Sequence, residues 1–495
     1  MISIASRLEL FVDNFLIDRM NGTVLKLHQP KPAEIAIKYD KYWEGYPDNP
    51  ISFYTTVIKD GGIYRIYYRG GYKLQHVNCY AESHDGIVWS KPDLGLVELD
   101  GSSSNNVILS TPGQFFHSGR LCPFVDESPK ASDGERYKSS MLGVSPPAKA
   151  GCDKRLVGLY GYVSQDGVNW NQLREDMIVP AELKNHFDSQ SAMFWSQAED
   201  QYVLYARHME EGRRSTARST SKDFINWTSP TLMRYSDTGT TVPAEQMYTN
   251  QTHPYFRAPH IYISLQARIL FADVSQVSLK DDVDKAVSHF VTDEQRSFYE
   301  SNVFEQSGGL GDLSDGVLLT SRAGSDTYDF TFRESFVRPG IGQGNWTTRT
   351  NYPSLGVVQT GPEEMSLYVQ RDFGQKSSHL ERMTLRLDGF ASLNAPYDGG
   401  DMTTVPFIFD GDMLVLNYST SAIGSIRVEI QDINGEIVPG YSLNECRGLI
   451  GDEINGIMTW DKGNSVRGLS GTPVRLKFHM KDSDIYSLCF RDIRS

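Results

Sequence analysis

Hydrophobic and polar positions alternate through FYTTVIKD (Phe53–Asp60) and again through IYRIYYRG (Ile63–Gly70), with Gly61 and Gly62 between the two runs. A period of two marks half-buried strands, and Asp-Gly between two such runs marks a tight hairpin. A third run, CYAESHDG, turns into IVWSKP. The same layout returns in SAMFWSQAEDQYVLYARH followed by STARSTSKDFINWTSP. Each copy predicts four short antiparallel strands, the unit of a propeller blade.

The copies also share a phrase. SHDGIVW (Ser83–Trp89), SQDGVNW (Ser164–Trp170) and SKDFINW (Ser221–Trp227) have Ser, Asp and Trp at fixed spacing, with weaker echoes in SRAGSDTYDF (Ser321–Phe330) and around Asp388 in LRLDGFASL. Ser and Asp side chains can cap the N–H groups of a tight turn. The Trp is expected on the outer strand, filling the gap between neighbouring blades. Repetition at uneven spacing indicates a repeat architecture with inserted loops.

Five copies predict an all-β protein: a five-bladed β-propeller over residues 1–394, then a β-sandwich over residues 395–495, where runs such as FIFDGDMLVLNYST and GSIRVEIQDINGEIVPG change the texture. The strand LELFVDNFLID, with Asp13 and Asp18, is expected to close the ring by joining the last blade. Leu279–Phe304 has a helical period and reads as an insertion in blade four.

Composition narrows the chemistry. Across 495 residues the net charge is −14, and no Lys/Arg stripe marks a nucleic-acid surface. No apolar run approaches the ~20 residues of a membrane span. MISIASRLELF lacks the basic-then-apolar layout of a leader, which points to a cytoplasmic protein or to a leader-trimmed periplasmic or secreted form. Five scattered cysteines form no C-x-x-C pair, so structural zinc and a disulfide framework are not expected. The 11% aromatic content suits strands and also sugar-stacking surfaces.

The repeated phrase resembles the Asp-box of sialidases, one residue shorter between Ser and Trp. With five blades and a C-terminal sandwich, the chain resembles the five-bladed propeller glycoside hydrolases, families 43, 117 and 32, without the N-D-P-N-G, R-D-P and W-E-C-P motifs of family 32. The resemblance implies carboxylates on the inner strands of different blades, aimed into a central funnel where an acid and a base flank the scissile bond. Acids at the blade openings are Glu44 and Asp48 in blade one, Asp188 in blade three and Glu245 in blade four. By analogy with families 43 and 117, Glu44 or Asp48 is the base, Asp188 the pKa modulator and Glu245 the acid of an inverting hydrolysis.

Trp43, His117, Arg120, Tyr248, Asn250, Arg257, His260, Arg349 and Asn351 are the expected substrate-binding residues, with Trp43, Tyr248 and Tyr352 as stacking surfaces. No cofactor is required, and a structural divalent cation on the propeller axis is compatible with the pattern. The expected partner is a carbohydrate, with no nucleic acid and no membrane; the sequence leaves the oligomeric state open. Two alternatives stay open: phosphorolysis on the same fold, for which Arg257 and Arg349 are candidate phosphate ligands, and a propeller that only binds glycans.

Overall fold

The computed structural model describes residues 1–46, 52–72, 75–110, 120–144, 157–180, 187, 189–270, 313–341, 345–346 and 349–492. Its elements are strands, with three short 3-10 turns and no α-helix among the described residues. The expected helical insertion at Leu279–Phe304 lies outside them. The chain divides into two compact units. One comprises Lys31–Thr360 and Ser366–Thr384; the other comprises Met1–Pro30, Gly361–Met365 and Leu385–Ser495.

The larger unit is a five-bladed β-propeller. Blade one pairs Phe53–Asp60, Ile63–Tyr72, Gln75–Ser83 and Val107–Ser110 in that order. Blade two runs Phe124–Val125, Tyr137–Val144, Val157–Ser164 and Asn171–Gln172. Blade three runs Ala192–Ser196, Gln201–Glu210, Arg213–Ser221 and Thr231–Leu232. In blade four the inner strand is broken into Gln246–Thr249 and Thr252–Tyr255, both paired to one edge of Ala258–Leu270, with Leu313–Arg322 on the other edge. Blade five orders Tyr352–Pro353, Glu364–Arg371, His379–Arg386 and Lys31–Lys38.

The ring is therefore closed by KPAEIAIK, which pairs antiparallel with His379–Arg386. This corrects the expectation that LELFVDNFLID closes it. Phe11 and Leu16 from that segment are buried in the core of the smaller unit, with Trp460, Phe478 and Phe490. Glu9–Leu10 pairs with Arg475–Arg491, and Ile17–Asn21 with Gly400–Thr404. Asp18 makes an ion pair with Arg475 at 2.7 Å. The unit boundaries accordingly differ from a single break at residue 395. The smaller unit is all-β, as expected. Its eight-stranded sheet is built on two long antiparallel strands, Met413–Gln431 and Arg475–Arg491, and a separate parallel pair joins Ile2–Ala5 to Phe407–Phe409.

The repeated phrase does in the propeller what its residue types allow. In each full copy one Asp oxygen accepts the two N–H groups that follow: Ile87 and Val88 for Asp85, Val168 and Asn169 for Asp166, Ile225 and Asn226 for Asp223, all at 2.7–2.9 Å. Each Ser hydroxyl donates to its Asp. Each Trp Nε1–H donates to the carbonyl three residues back, closing the turn. Burial pushes the Asp223 carboxyl up, but donation from Asn226, Ile225 and Ser221 outweighs it and holds its pKa at about 2.

The Trp rings then seal the joints between blades. Trp89 of blade one packs edge-on against Tyr368 of blade five, and Trp170 of blade two against Tyr67 of blade one. Trp227 of blade three joins a cluster with Phe124, Leu142 and Ile178 of blade two. Asp388, read as a fifth echo, belongs instead to the smaller unit, where its carboxylate accepts from Asn417 and Ser487.

Asp166→Ala removes four hydrogen bonds from a largely exposed turn, and about 1–2 kcal/mol of stability is expected to go with them. A fall in the thermal midpoint, with any activity unchanged, is the expected result.

Candidate active site

One residue from each blade meets at the propeller axis. Thr56 of blade one donates to Cys122 Sγ, beside blade two, at 3.7 Å. Gln190, at the entry to blade three, donates to Thr56 Oγ1 at 3.0 Å. Gln251 of blade four donates to Gln190 Oε1 at 2.8 Å and to the Pro353 carbonyl of blade five at 3.2 Å. The inner strands of blades one and five also bond directly, Val57 N–H to Leu355 O at 2.7 Å. That approach needs a glycine: Gly356 has φ of +105°, and a Cβ there would lie 2.1 Å from the Val57 carbonyl oxygen.

Beside this ring is a small cavity lined by Phe53, Tyr54, Thr55, Thr249, Gln251, Tyr352, Pro353, Ser354 and Gln370, with room for about one water molecule. The Tyr352 and Ser354 hydroxyls and the Gln251 and Gln370 amide oxygens are buried there without a hydrogen-bond partner. Buried polar atoms are normally satisfied, so several facing one cavity point to a ligand or water contact.

Beside the cavity a cluster of aromatic rings and guanidinium groups forms the candidate mouth of the funnel; Phe53, Tyr54, Tyr352, Arg69 and Arg120 in it are buried. Tyr54 precedes Thr56 by two residues, Arg120 precedes Cys122 by two, and Tyr248 and Tyr352 lead into Gln251 and Pro353. Phe53 and Tyr54 pack with their rings tilted and centroids 3.9 Å apart, and Tyr248 and Tyr352, also tilted, lie 5.3 Å apart. The Arg69 guanidinium lies 3.8 Å from the Phe53 centroid and 5.1 Å from that of Tyr54. Arg120 is 5.3 Å from the Tyr54 ring and Arg214 5.1 Å from the Tyr248 ring. Burial lowers the Arg69 pKa most, Tyr54 opposes it, and the neighbouring Arg120 and Arg349 lower it further. Burial likewise drives the Tyr352 hydroxyl well above its ordinary range.

The backbone is strained at these positions. Tyr54, Phe187, Arg349 and Asn351 all have φ between +56° and +65°, the left-handed region that non-glycine residues seldom adopt. Tyr54 is the second residue of the inner strand of blade one, and the others stand just before the inner strands of blades three and five. In blade one the strain coincides with a register shift between Phe53 and Thr56. Strain of this kind persists where the surroundings impose it, and it clusters at functional sites.

The sequence-expected residues fall into three groups. Arg120, Tyr248 and Arg349 sit in the mouth, with Tyr352 in the cavity wall. Asp48, His117 and Asp188 lie outside the described residues. The rest are placed elsewhere. Glu44 is fully buried and caps a 3-10 turn: it accepts from the Lys41 N–H at 2.9 Å and the Tyr68 hydroxyl at 2.6 Å, and pairs with Lys91 at 2.7 Å. Trp43 donates to Asn106 within the core of blade one. Glu245 pairs with Arg333 at 2.7 Å and lies 3.7 Å from Arg268, which itself pairs with Asp315; it does not line the cavity.

Asn250 donates to the Tyr205 carbonyl at 3.3 Å. Arg257 is in the turn at the far end of the broken inner strand, and His260 follows it on Ala258–Leu270. Asn351 is fully buried, donates to the Ser314 and Asn345 carbonyls and accepts from Arg371. Phe53, Tyr54, Arg69, Arg214, Gln190 and Gln251 were not singled out from the sequence. Strand openings are where the sequence pattern points, whereas Arg69 and Arg214 come from second and third strands. Among the described residues no group of three or more His, Cys, Asp or Glu side chains could hold a metal ion, and no helix is long and apolar enough to cross a membrane.

His253 adds a pH-sensitive tie between blades four and five. Its Nδ1 lies 2.9 Å from the Gln251 carbonyl, and its Nε2 accepts the Val357 N–H at 3.2 Å. Burial lowers its pKa to about 4, the Gln251 carbonyl working against it. The unfolded chain binds this proton below about pH 6.5 and the native protein only below about 4. This contribution is therefore complete above about 6.5 and is lost as pH falls toward 4. The ring keeps some exposure, so about 3 kcal/mol is its ceiling. Thermal midpoints between pH 7 and 4 are expected to fall less steeply in His253→Gln than in the native protein.

No protein-family profile matches the chain. A stretch of 130 residues, 25% of this chain, is 29% identical to two uncharacterised proteins of Mycobacterium tuberculosis strains and spans 34% of their length. Among solved structures the chain is similar to a glycoside hydrolase (TM-score 0.45, 11% identity, 72% of this chain and 92% of that one). It is also similar to a glycosyl hydrolase from Bacteroides ovatus (TM-score 0.42, 14% identity, 73% and 94%).

Proposed function

We propose that this protein is a glycosidase that cleaves a glycan in the mouth of the propeller funnel. The observation that carries the reading is the mouth itself: closely packed aromatic rings and arginines, on strained backbone, beside an axis where all five blades meet. Aromatic faces suit the apolar faces of sugars, and guanidinium groups suit oxygen-rich ligands. The five-bladed architecture and the resemblance of the repeated phrase support the same class.

Hydrolysis needs a proton donor for the leaving oxygen and a carboxylate for the water or the anomeric carbon. We assign one of these to Asp188. In sequence it stands two residues before the axial Gln190, as Tyr54 and Arg120 stand before Thr56 and Cys122. Asp48 remains the base assigned by resemblance. Glu44 and Glu245 we assign to structure, because both are already engaged by cations outside the cavity wall.

The arginines favour a second reading, phosphorolysis, in which inorganic phosphate replaces water. Arg120 and Arg349 would then hold the phosphate, and Arg257, at the far end of blade four, would not. The test is a screen of aryl glycosides and plant and algal glycans, with and without phosphate. Cleavage without phosphate supports hydrolysis, cleavage only with phosphate supports phosphorolysis, and binding without cleavage leaves a glycan-binding propeller.

A further inference from the structure

The small cavity beside the axis takes its polar groups from two blades. Gln251 sits at the break in the inner strand of blade four, between Gln246–Thr249 and Thr252–Tyr255. In blade five Tyr352 pairs directly opposite Gln370, and Ser354 follows Tyr352 by two residues. Opposed residues, and residues two apart on a strand, share one face of a sheet. Tyr352, Ser354 and Gln370 therefore turn to the same side, and all three line the cavity with Gln251. These four residues keep only 2–4% of their surface exposed.

The roles of their free atoms are fixed. Gln251 Nε2 donates to Gln190 Oε1 and the Pro353 carbonyl, so its Oε1 is the atom left facing the cavity. Gln370 Nε2 donates to the Arg371 carbonyl at 2.9 Å and to Ser378 Oγ at 3.0 Å, which orients its Oε1 in the same way. Two amide oxygens can only accept, whereas the Tyr352 and Ser354 hydroxyls can donate. An occupant must supply two donors and accept two hydrogen bonds, and there is room for about one water molecule. A sugar hydroxyl has one proton and leaves an amide oxygen unpaired. Among the described residues no carboxylate, ammonium, imidazole or guanidinium group lines the cavity, so an ion would be buried there without a counter-charge.

We propose that the cavity is the site of one permanent water molecule, which donates to the Gln251 and Gln370 amide oxygens and accepts from the Tyr352 and Ser354 hydroxyls. Gln251 already reaches the Pro353 carbonyl of blade five, and the water ties it to three further residues of that blade. It pins the seam between blades four and five at the axis, and it holds the hydroxyl of Tyr352, whose ring belongs to the mouth. The proposal stands whether or not a glycoside is cleaved.

A crystal structure of the full chain tests it. One peak is expected in the cavity, about 2.5–3.0 Å from each of the four oxygens. Crystals grown in thallium salts are expected to show no anomalous signal there, and crystals soaked in glucose or galactose are expected to keep the peak. A second measurement is the sign of a thermal shift. Tyr352→Phe keeps the ring and removes the hydroxyl. A buried hydroxyl without a partner is a cost, so its removal raises the midpoint; one bonded to water contributes, so its removal lowers it. A lowered midpoint is expected, with circular dichroism as the check on folding. If the variant does not fold, the crystal structure of the native protein decides. An empty cavity, a thallium signal, a sugar hydroxyl in place of the peak, or a raised midpoint in Tyr352→Phe would each overturn the proposal.

Discussion

Lys91→Met is expected to destabilise the propeller by about 3–5 kcal/mol, the cost of leaving a buried charge without its partner. Glu44 has no exposed side-chain surface, and Lys91 is 15% exposed. The lysine also donates to the Lys38 carbonyl and to Asp40 at 3.3 Å, tying blade one to the strand that closes the ring. Removing it leaves the carboxylate with only the Tyr68 hydroxyl and the Lys41 N–H. In the double variant Glu44→Gln/Lys91→Met no buried charge is stranded, so part of the loss is expected to return. Lys222→Met, which breaks an exposed pair with Asp200, sets the scale: about 0.5 kcal/mol or less is expected there. Urea unfolding followed by circular dichroism measures all three. A Lys91→Met shift no larger than that of Lys222→Met would show that Glu44 is not held as a buried ion pair.

The same pair shows where sequence reading reaches its limit. An acid just before an inner strand looks alike whether it faces a substrate or caps a turn. What decides for Glu44 is Lys91, far along the chain, together with Tyr68 on the second strand of blade one. The blade pattern was legible because its signals are local: hairpin glycines, alternation, and a Ser-Asp-Trp phrase whose hydrogen bonds all close within seven residues. The closing strand was not, because LELFVDNFLID carries larger apolar residues than KPAEIAIK. Its apolar residues, Phe11 and Leu16, are claimed by the core of the other unit. Tertiary burial overrode local pattern, as it commonly does for strands. The mouth was half legible. Arg120, Tyr248 and Arg349 stand at strand openings, but Arg69 and Arg214 reach it from neighbouring strands. Nothing local announces the positive φ of Tyr54.

Asp188→Asn is expected to lower turnover of any glycoside substrate by about 10²–10⁴-fold, roughly 3–5 kcal/mol of barrier, with the fold intact. Asn keeps the size of the side chain and one acceptor oxygen but can neither carry charge nor exchange a proton. Glu245→Gln is expected to stay within about tenfold of the native rate, because the Glu245 carboxylate is engaged by Arg333 and stands outside the cavity wall. Its loss should appear as a lowered thermal midpoint, since Arg333 also holds the buried Asp237 at 2.8 Å and Arg268 keeps Asp315. The substrate for this comparison is whichever aryl glycoside the screen identifies. Arylated substrates need little protonation of the leaving group, so a large loss in Asp188→Asn on an aryl glycoside points to the base or nucleophile side of the reaction. A loss confined to unactivated glycans points to the acid side. The opposite ranking, with Glu245→Gln inactive and Asp188→Asn active, would move the proton donor to blade four and restore the order of acids that the family resemblance implies.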